Sequence, residues 1–422
     1  MSNSKIYLTS KGCFIVQTET NHIAGYLKNN GYELVETVEE ADAVIITTCA
    51  VTETAAEGTY RGIFECLEKR KENIPVYIVG CFTRIETQRM EELLKYGNII
   101  PVPEIRGIEN EFLGANPWDS VVYNNFYSHP FSIKYLQTTN DEASLRIKLS
   151  KKLFGFIDLA FKKETLFHFL FSTGHLYNPE VQRALWPVIV SKGCTHACSY
   201  CVVRKGRGKF TSKPLSSILN EIKVGIDKGY KRMLLIGDEL GPYGVDFKDG
   251  TSLEMLLNAL SSDEFPISIG LWYLDAFLLM RVVPVLKTLA KRGKLFFLGI
   301  TIQHGSDRIL HLMNRRYSIP DTMDAIRDFR KYPGTIIATQ FMVGFPSETE
   351  EDFLKTVALV ESGYFDKVEV FEYSPRPGTR AATMTDDVSS QVKRERAARL
   401  KKLAFQKSKK LYLNHVIKQF KR

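Results

Sequence analysis

The chain has 422 residues, of which 44% are hydrophobic and 25% are charged. These fractions are ordinary for folded proteins and exclude a disordered, collagen-like or coiled-coil chain. The length predicts two or three domains. No apolar run reaches the roughly 18–20 residues that a membrane span needs, and the N-terminus enters a strand pattern without a signal-peptide core. We therefore expect a cytoplasmic protein whose seven cysteines are reduced.

The net charge of +9 is concentrated near the C-terminus. Residues 391–422 contain twelve Lys and Arg and a single Glu, so this segment carries +11 and residues 1–390 carry −2. Its leucines give it a partial helical stripe. A basic helix can lie along the phosphates of a nucleic acid, or it can be a solvated helix whose apolar stripe packs on the core. The sequence leaves both interpretations open.

The first hundred residues alternate between strand and helix patterns. Strands are predicted over 5–10, 43–47 and 75–80, and helices over 18–30 and 52–71. This alternation predicts a parallel sheet with covered faces. Residues 101–185 are predicted to be a linker with an inserted helical segment at 143–171, and the Pro-Val-Pro sequence at 101–103 indicates a loop.

The alternation resumes at residue 186. Strands are predicted over 188–190, 232–236, 267–272, 294–302, 335–343 and 367–373, with helices between them. Six strand–helix units within about 190 residues predict a partial (β/α)6 barrel, with function at the carboxyl ends of its strands. The predicted fold class is α/β, with domains at 1–100 and 186–385, the linker at 101–185, and a basic C-terminal helix at 386–422.

Three cysteines follow the first barrel strand at the spacing Cys194-x3-Cys198-x2-Cys201. Three thiolates on a 4Fe-4S cluster leave one iron without a protein ligand. That iron can bind the amino and carboxylate groups of S-adenosylmethionine, and reductive cleavage then yields an adenosyl radical. The alternative is a zinc site, which would need a fourth Cys or His, and His196 has an awkward spacing for that role. The pattern favours the radical centre.

Three other cysteines, Cys13, Cys49 and Cys81, each stand just past a predicted strand of the first domain. The carboxyl ends of adjacent parallel strands are close in space, so these thiolates can converge on a second cluster. Glycine precedes Cys13 and Cys81, and it would allow the backbone to approach an inorganic cluster closely. The alternative is that the three are unrelated buried cysteines. We interpret Cys66, which lies in a helical pattern, as such a core residue.

Several separate blocks of the sequence resemble the radical S-adenosylmethionine methylthiotransferases. The resemblance covers most of the chain except about residues 100–185. Its blocks are Gly12-Cys13 with Gln17, Glu19 and Thr20, Thr48–Ala55, Gly80-Cys81, Lys192–Cys201 with Arg207-Gly208 and Pro214, Ile302–Asp307, Met313–Arg315, Val343–Phe353 and Tyr373–Thr379. Gln17, Glu19 and the Ala50-Val-Thr sequence most resemble the branch that modifies threonylcarbamoyladenosine beside the tRNA anticodon.

The resemblance implies an enzyme that replaces C–H by C–SCH3 with two 4Fe-4S clusters and S-adenosylmethionine. The N-terminal cluster carries the sulfur, which one S-adenosylmethionine methylates, and the barrel cluster cleaves another to make the radical. The implied partners are tRNA and an electron donor such as flavodoxin or ferredoxin. A protein or ribosomally made peptide is the alternative substrate. Most members continue into a small RNA-binding β-barrel called TRAM, which we expect to be missing here.

Five residues are candidate contacts for S-adenosylmethionine. Gly237 and Glu239 occupy the place of the Gly-Gly-Glu-like turn that meets the methionine amino group in radical barrels, and an acidic side chain suits an ammonium ion. Gln303 and Gln340, at the ends of the fourth and fifth barrel strands, could bind the ribose or the carboxylate. Gln340 stands where the family usually has Asp. Arg376, after the sixth strand, lies near the expected pocket.

A merely structural role is the alternative for each of these contacts. Asp307 and Glu348 are predicted to cap the helices that follow them rather than to bind the cofactor. We expect no catalytic side chain beyond the cluster ligands.

Overall fold

The structure is a computed structural model that describes residues 4–118, 121, 184–332 and 334–420, with side chains up to residue 408. The helical segment predicted at 143–171 lies outside the described residues. The described chain forms two compact units. The first comprises the N-terminal residues up to 121 together with 201–210 and 376–378, and the second comprises the remaining described residues from 184 onward.

The first unit is built on a five-stranded sheet in the order β2-β1-β3-β4-β5, in which every neighbouring pair is parallel. Its strands are β1 Lys5–Lys11, β2 Glu33–Val35, β3 Ala43–Thr48, β4 Val76–Gly80 and β5 Ile99–Val102. Its helices are α1 Phe14–Asn29, α2 Glu53–Lys69, α3 Phe82–Ile85, α4 Thr87–Leu94, α5 Ile108–Glu111 and, from a later segment, α6 Val203–Arg207. The strand order changes direction between β1 and β3, the point at which doubly wound sheets bind ligands.

Burial on both faces explains the parallel sheet. All six residues of β3 are buried, and such a continuous apolar strand is typical of a sheet covered on both sides. Ile46 packs in one core with Ile63 of α2, and Ile45 packs in another with Leu27 of α1. The predicted parallel sheet with covered faces is confirmed.

Two edge strands and one helix start differ from the sequence prediction. Strand β5 includes Pro101, which was predicted to lie in a loop. Proline has no N–H to donate, but an edge strand pairs on one side only, and Pro101 lies opposite Ile78 there. Helix α1 begins at Phe14 rather than at Thr18, because its first residues are buried, and Cys13 is its N-cap. The short edge strand β2 was not predicted.

The second unit is built on a six-stranded parallel sheet in the order β6-β9-β10-β11-β12-β13. These strands are β6 Trp186–Ile189, β9 Arg232–Ile236, β10 Ser268–Asp275, β11 Leu295–Gln303, β12 Ile336–Val343 and β13 Lys367–Glu372, while β7 Ser191–Lys192 pairs with β8 Thr211–Ser212 in a separate ribbon. The helices are α7 Leu215–Asp227, α8 Leu253–Ser261, α9 Ala276–Lys291, α10 Asp307–Leu312, α11 Ile319–Phe329, α12 Glu350–Glu361 and α13 Ser390–Phe420. All six predicted strands and the α/β class are confirmed.

The basic segment forms one helix, α13, whose described side chains have two kinds of environment. Ala397, Leu400 and Ala404 are buried, so its first half packs on the second unit. Lys401 and Lys402 are exposed. The packed stripe and the solvated basic face therefore exist on the same helix. In the part of the chain that the structure describes, none of the helices is long and apolar enough to cross a membrane.

Candidate metal and cofactor sites

The thiols of Cys13, Cys49 and Cys81 follow β1, β3 and β4, three neighbouring strands of the first unit. Cys13 is exposed, whereas Cys49 and Cys81 are buried. The pKa of Cys49 is raised well above its ordinary value by a hydrogen bond with Cys13, by burial, and by the nearby charges of Cys13 and Cys81. The structure therefore brings the three thiols together.

Cys66 lies apart from this group. It belongs to α2 and to the apolar core of the first unit. Burial raises the pKa of its thiol to about 11, so it is an inert core thiol at neutral pH. Its interpretation as a core residue agrees with this environment.

The backbone around the three thiols is held closely. Gly80, which precedes Cys81, has a φ of +100°, and a Cβ there would lie 3.2 Å from the Thr48 carbonyl oxygen. Thr48 also ties the two strand ends together, because its hydroxyl donates to the Val79 carbonyl at 2.7 Å and accepts the Phe82 N–H at 3.3 Å. Glycine at position 80 thus serves backbone packing between the strands that carry Cys49 and Cys81.

The chemistry of this thiol group fits an iron–sulfur cluster. Thiolates are the ligands of such clusters, and a bound cation favours the thiolate form that neighbouring thiols disfavour. The raised pKa of Cys49 is caused mainly by the neighbouring thiol of Cys13. Positively charged iron among the three thiols would lower this pKa and stabilise the thiolate. The residues present could therefore hold the predicted second cluster.

The second cysteine set lies on the loop between β7 and α6. Cys194, Cys198 and Cys201 are all partly exposed. The backbone N–H of His196 donates to Cys194 Sγ at 3.4 Å, and that of Val203 donates to Cys201 Sγ at 3.5 Å. Hydrogen bonds to cysteine sulfur are a means by which proteins tune iron–sulfur clusters, so this loop also fits the predicted group.

Glu239, the predicted acceptor for the methionine amino group, lies just past the end of β9. Its Oε1 accepts the backbone N–H groups of Gly241 at 3.0 Å and of Asp275 at 3.1 Å. Burial and the negative charge of Asp275 raise the pKa of Glu239 to about 7. A buried carboxyl group with such a pKa becomes fully ionised when a cation lies beside it, which is what an ammonium group would provide.

Gly237 and Asp238 complete this turn. A Cβ at Gly237 would lie 2.7 Å from Ser191 Oγ, so glycine allows the turn to pack against β7. Asp238 accepts the Gly193 N–H at 2.7 Å, which fixes the start of the loop that carries Cys194. The turn thus supports the cysteine loop as well as presenting Glu239.

A polar group that sequence reasoning missed surrounds Glu239. Within the described residues, one set of three potential ligands, His196, Glu239 and Asp275, has its ligand atoms within 4.8 Å of one another. Asp275 also forms an ion pair with Arg315, and Arg315 donates to the Tyr200 hydroxyl at 2.7 Å. Protein donors bond to both carboxylates, whereas His196 Nε2 is buried without a hydrogen-bond partner among the described residues. The position of Asp275 at the carboxyl end of β10 was the available signal.

The two predicted glutamine contacts have different surroundings. Gln303 ends β11, is buried, and has a left-handed φ of +67°. Gln340 lies within β12, and its Nε2 donates to Glu369 at 2.9 Å. Lys367 donates to the same carboxylate at 2.6 Å. The amide nitrogen of Gln340 is therefore bonded to a side chain of the neighbouring strand β13.

Arg376, the last predicted contact, is bonded to residues of the first unit. Its guanidinium donates to the Ala50 carbonyl at 2.8 Å and forms ion pairs with Glu53 and Glu86, all in the first unit. The prediction of a cofactor contact rested on its place after the sixth barrel strand. No pattern in the sequence indicated these acidic partners, which precede Arg376 by 290 residues or more.

Asp307 and Glu348 do not have the capping roles that the sequence predicted. Asp307 is the first residue of α10, whose N-cap is Ser306, and it accepts the Ile319 N–H at the start of α11 at 3.0 Å. Glu348 does not cap α12, whose N-cap is Thr349. It is instead fully buried, hydrogen-bonded to His304 Nε2 at 2.9 Å and to Arg396 at 2.9 Å. The prediction was wrong because a buried pair of charges outweighs a solvated cap.

Both units match known protein families. Residues 188–360 match the Radical SAM superfamily, and residues 5–100 match a family described as "Uncharacterized protein family UPF0004". The tRNA-2-methylthio-N(6)-dimethylallyladenosine synthase of Fervidobacterium nodosum is 30% identical over 98% of this chain and 86% of its own length. The enzyme of that name from Bacillus cereus is 28% identical over 96% of this chain and 73% of its own length.

A solved structure supports the fold. The radical S-adenosylmethionine methyltransferase TsrM from Kitasatospora setae, with cobalamin and a [4Fe-4S] cluster bound, matches 90% of this chain and 77% of its own with a TM-score of 0.56 and 13% identity. At that identity the likeness concerns the fold alone. The sequence likeness to the synthases extends over nearly the whole chain. This chain therefore belongs to the radical S-adenosylmethionine methylthiotransferase family.

Proposed function

We propose that the enzyme transfers a methylthio group to a hypermodified adenosine of tRNA, replacing a C–H bond by C–SCH3. The observation that carries this proposal is the grouping of Cys13, Cys49 and Cys81 at three neighbouring strand ends. A radical enzyme that only cleaves S-adenosylmethionine has no need of this second thiol set. The names of the relatives in Fervidobacterium nodosum and Bacillus cereus support tRNA as the substrate.

The residues divide the work between two sites. Cys194, Cys198 and Cys201 would hold one 4Fe-4S cluster, and Cys13, Cys49 and Cys81 would hold the other. When bound, these clusters and S-adenosylmethionine supply the radical and the sulfur. Glu239 would accept the amino group of the cofactor, since its buried carboxylate gains from a neighbouring cation. Asp238 keeps the cysteine loop in place through the Gly193 N–H.

The substituent on the adenosine is the finer part of the proposal. Gln17, Glu19 and Ala50 resemble the threonylcarbamoyladenosine branch, but each has a structural task in the first unit. Gln17 donates to the Gly12 carbonyl at 3.1 Å, Glu19 pairs with Arg207, and the Ala50 carbonyl accepts from Arg376. These contacts hold the first unit together whichever adenosine is the substrate, so the three residues do not distinguish between the two substituents. We therefore take dimethylallyladenosine, named in the relatives, as the first candidate and threonylcarbamoyladenosine as the second.

Mass spectrometry of tRNA nucleosides tests the proposal. The chain is reconstituted with iron and sulfide without oxygen, reduced, and given S-adenosylmethionine with tRNA that lacks methylthio groups. Two tRNA preparations are used, one carrying dimethylallyladenosine and one carrying threonylcarbamoyladenosine. The expected product is the methylthio form of one of them, and the preparation that reacts identifies the substituent.

Two results of this experiment would contradict the proposed function. Cleavage of S-adenosylmethionine to 5′-deoxyadenosine with no methylthio nucleoside in either preparation would overturn the tRNA substrate. It would leave the radical chemistry in place and favour a protein or peptide side chain. Absence of cleavage by a protein with full iron content would overturn the radical mechanism itself.

A further inference from the structure

We propose that Arg376 is a positioning residue for the thiol site of the first unit, tying the turn after Cys49 to the turn after Cys81. The inference rests on the proposed function only in that those thiols hold a cluster. The tie itself consists of contacts among this chain's own residues. Arg376 would touch neither substrate nor cofactor.

The contacts of Arg376 reach both turns. Its side chain is 2% exposed. Its Nη2 donates to the carbonyl of Ala50, the residue directly after Cys49, at 2.8 Å. The same guanidinium forms ion pairs with Glu53, at the start of α2, and with Glu86, five residues after Cys81. One planar group thus connects the two thiol-bearing turns.

Two of these partners, Glu86 and Ala50, are buried beside Arg376. The Glu86 side chain is 9% exposed, and a buried carboxylate that loses its partner is strongly disfavoured. The Ala50 carbonyl is fully buried as well and would lose a charge-assisted hydrogen bond. Arg89 of α4 lies 3.2 Å from Glu53 and 3.6 Å from Glu86, so it holds the acids together but does not replace the bond to Ala50. Without Arg376 the two turns would move to bring these groups to water.

The segment that presents Arg376 is stiff. Pro375 and Pro377 flank it, and proline fixes φ and restricts the residue before it. Gly378 follows with a φ of +79°. A side chain fixed on such a backbone loses little freedom on forming three contacts, which suits a positioning role.

A second buried arginine repeats the arrangement at the third thiol. Arg207 of α6 is 5% exposed and donates to both oxygens of Glu19 at 2.8 Å and 2.6 Å. Glu19 lies on α1, the helix whose N-cap is Cys13. The helix that follows Cys13 is therefore also bonded to an arginine from a later segment of the chain. Lysine cannot reproduce this planar, multiply bonded geometry.

Thiol labelling of the apoprotein tests the proposal without any bound group. Arg376→Lys and the parent chain are treated with iodoacetamide under identical conditions, and the modification of each cysteine is followed by mass spectrometry. We expect Cys49 and Cys81 to react about tenfold faster in Arg376→Lys, because local opening exposes both turns. Cys66, buried in the same unit, should react at the parent rate.

Two further variants guard against a general loss of folding. Arg84→Lys is the matched control, since Arg84 forms an exposed ion pair with Glu104 at 2.9 Å in the same unit, and its cysteine rates should equal those of the parent. Glu86→Gln removes the anchor on one side only and should accelerate Cys81 alone. Unchanged rates at Cys49 and Cys81 in Arg376→Lys, or an equal acceleration of Cys66, would overturn the proposal.

Iron and sulfide content after reconstitution separates this inference from the proposed function. Arg376→Lys should lose about one cluster's iron while its 5′-deoxyadenosine formation stays within about twofold of the parent. A parent chain that binds only one cluster would contradict the proposed function and leave the labelling result standing. A parent with two clusters and an unaltered Arg376→Lys would contradict the positioning role and leave the function standing.

Discussion

Two buried cysteines of the first unit show how surroundings, not residue type, decide a role. Cys49 lies beside Cys13 and Cys81, and its pKa is raised chiefly by the thiol next to it. Cys66 lies among apolar side chains of α2, and its pKa is raised chiefly by burial. A cation would stabilise the first thiolate, whereas the charges that act on the pKa of the second belong to Lys and Glu side chains.

We therefore predict different outcomes for Cys49→Ala and Cys66→Ala. Cys49→Ala should lose about half of the bound iron and methylthio transfer, while S-adenosylmethionine cleavage continues at the other site. Cys66→Ala should keep both iron and transfer, because it removes only a small core side chain. Iron analysis and product quantification on the two variants check this. Full transfer by Cys49→Ala would refute the second thiol site.

Glu239 allows a second prediction at this scale. Glu239→Gln should weaken S-adenosylmethionine binding by roughly ten- to a hundredfold, because it replaces a charged acceptor for an ammonium group by a neutral one. Asp238→Asn is the matched control, since an amide oxygen can still accept the Gly193 N–H. Equilibrium binding to the reconstituted protein measures both. Equal affinities in the two variants would show that Glu239 does not meet the cofactor.

At the scale of elements, helix α13 is both a core element and a charged surface. Leu400 is fully buried, whereas Phe405, five residues later, is 61% exposed. Arg396 joins the same helix to the buried Glu348. The leucine pattern of the sequence indicated the packed stripe but not the buried ion pair, since charged residues usually indicate a solvated face.

This difference predicts unequal effects of two truncations in α13. Leu400→Ala should lower the free energy of unfolding by about 2–5 kcal/mol, as expected for a large core side chain. Phe405→Ala should change it by no more than about 0.5 kcal/mol, because most of its surface is already in water. Urea unfolding of both variants provides the measurement. Equal losses would mean that α13 does not pack as described.

Helices and strands with a strong apolar pattern could be predicted from the sequence. Strands that form only because a neighbouring strand pairs with them could not. The apolar run at 43–47 identified β3, and every strand of the second sheet was predicted from a similar run. Strand β2 has three residues, and β5 contains Pro101; each exists because a neighbouring strand offers an edge. The early start of α1 at Phe14 depends on burial that only the folded sheet provides.

For the whole molecule, the separation of charge is the main physical asymmetry. The segment 391–422 carries +11, and the remainder carries −2. Lys401 and Lys402 lie exposed on its described part. A tRNA that meets this face would release counterions, so its binding should weaken steeply with salt.

A double variant tests this face. Lys401→Ala with Lys402→Ala should weaken tRNA binding and reduce the slope of log K against log salt by about two, one for each lost phosphate contact. The control is Lys331→Ala with Lys355→Ala, which removes the same charge from two other exposed positions, one just past α11 and one on α12. Binding titrations at several salt concentrations compare the pairs. An equal effect of both pairs would indicate net charge rather than a binding face.

The predicted domain limits treated each domain as one stretch of chain. The cysteine sites could be predicted because spacing and strand ends are local properties of the sequence. The partners of Arg207 and Arg376 could not, because a pattern reports whether a position is buried but not which distant acid will pair with it. The compact first unit includes residues 201–210 and 376–378 for this reason.

The late position of Arg376 has a consequence for biosynthesis. Chains emerge from the ribosome N-terminus first, and early segments can begin to fold during synthesis. Strands β1, β3 and β4 are complete long before Arg376 is made, so their thiol-bearing turns must wait for almost 300 further residues before their last tie forms. Full ordering of the turns after Cys49 and Cys81 therefore comes only after Arg376 has been synthesised.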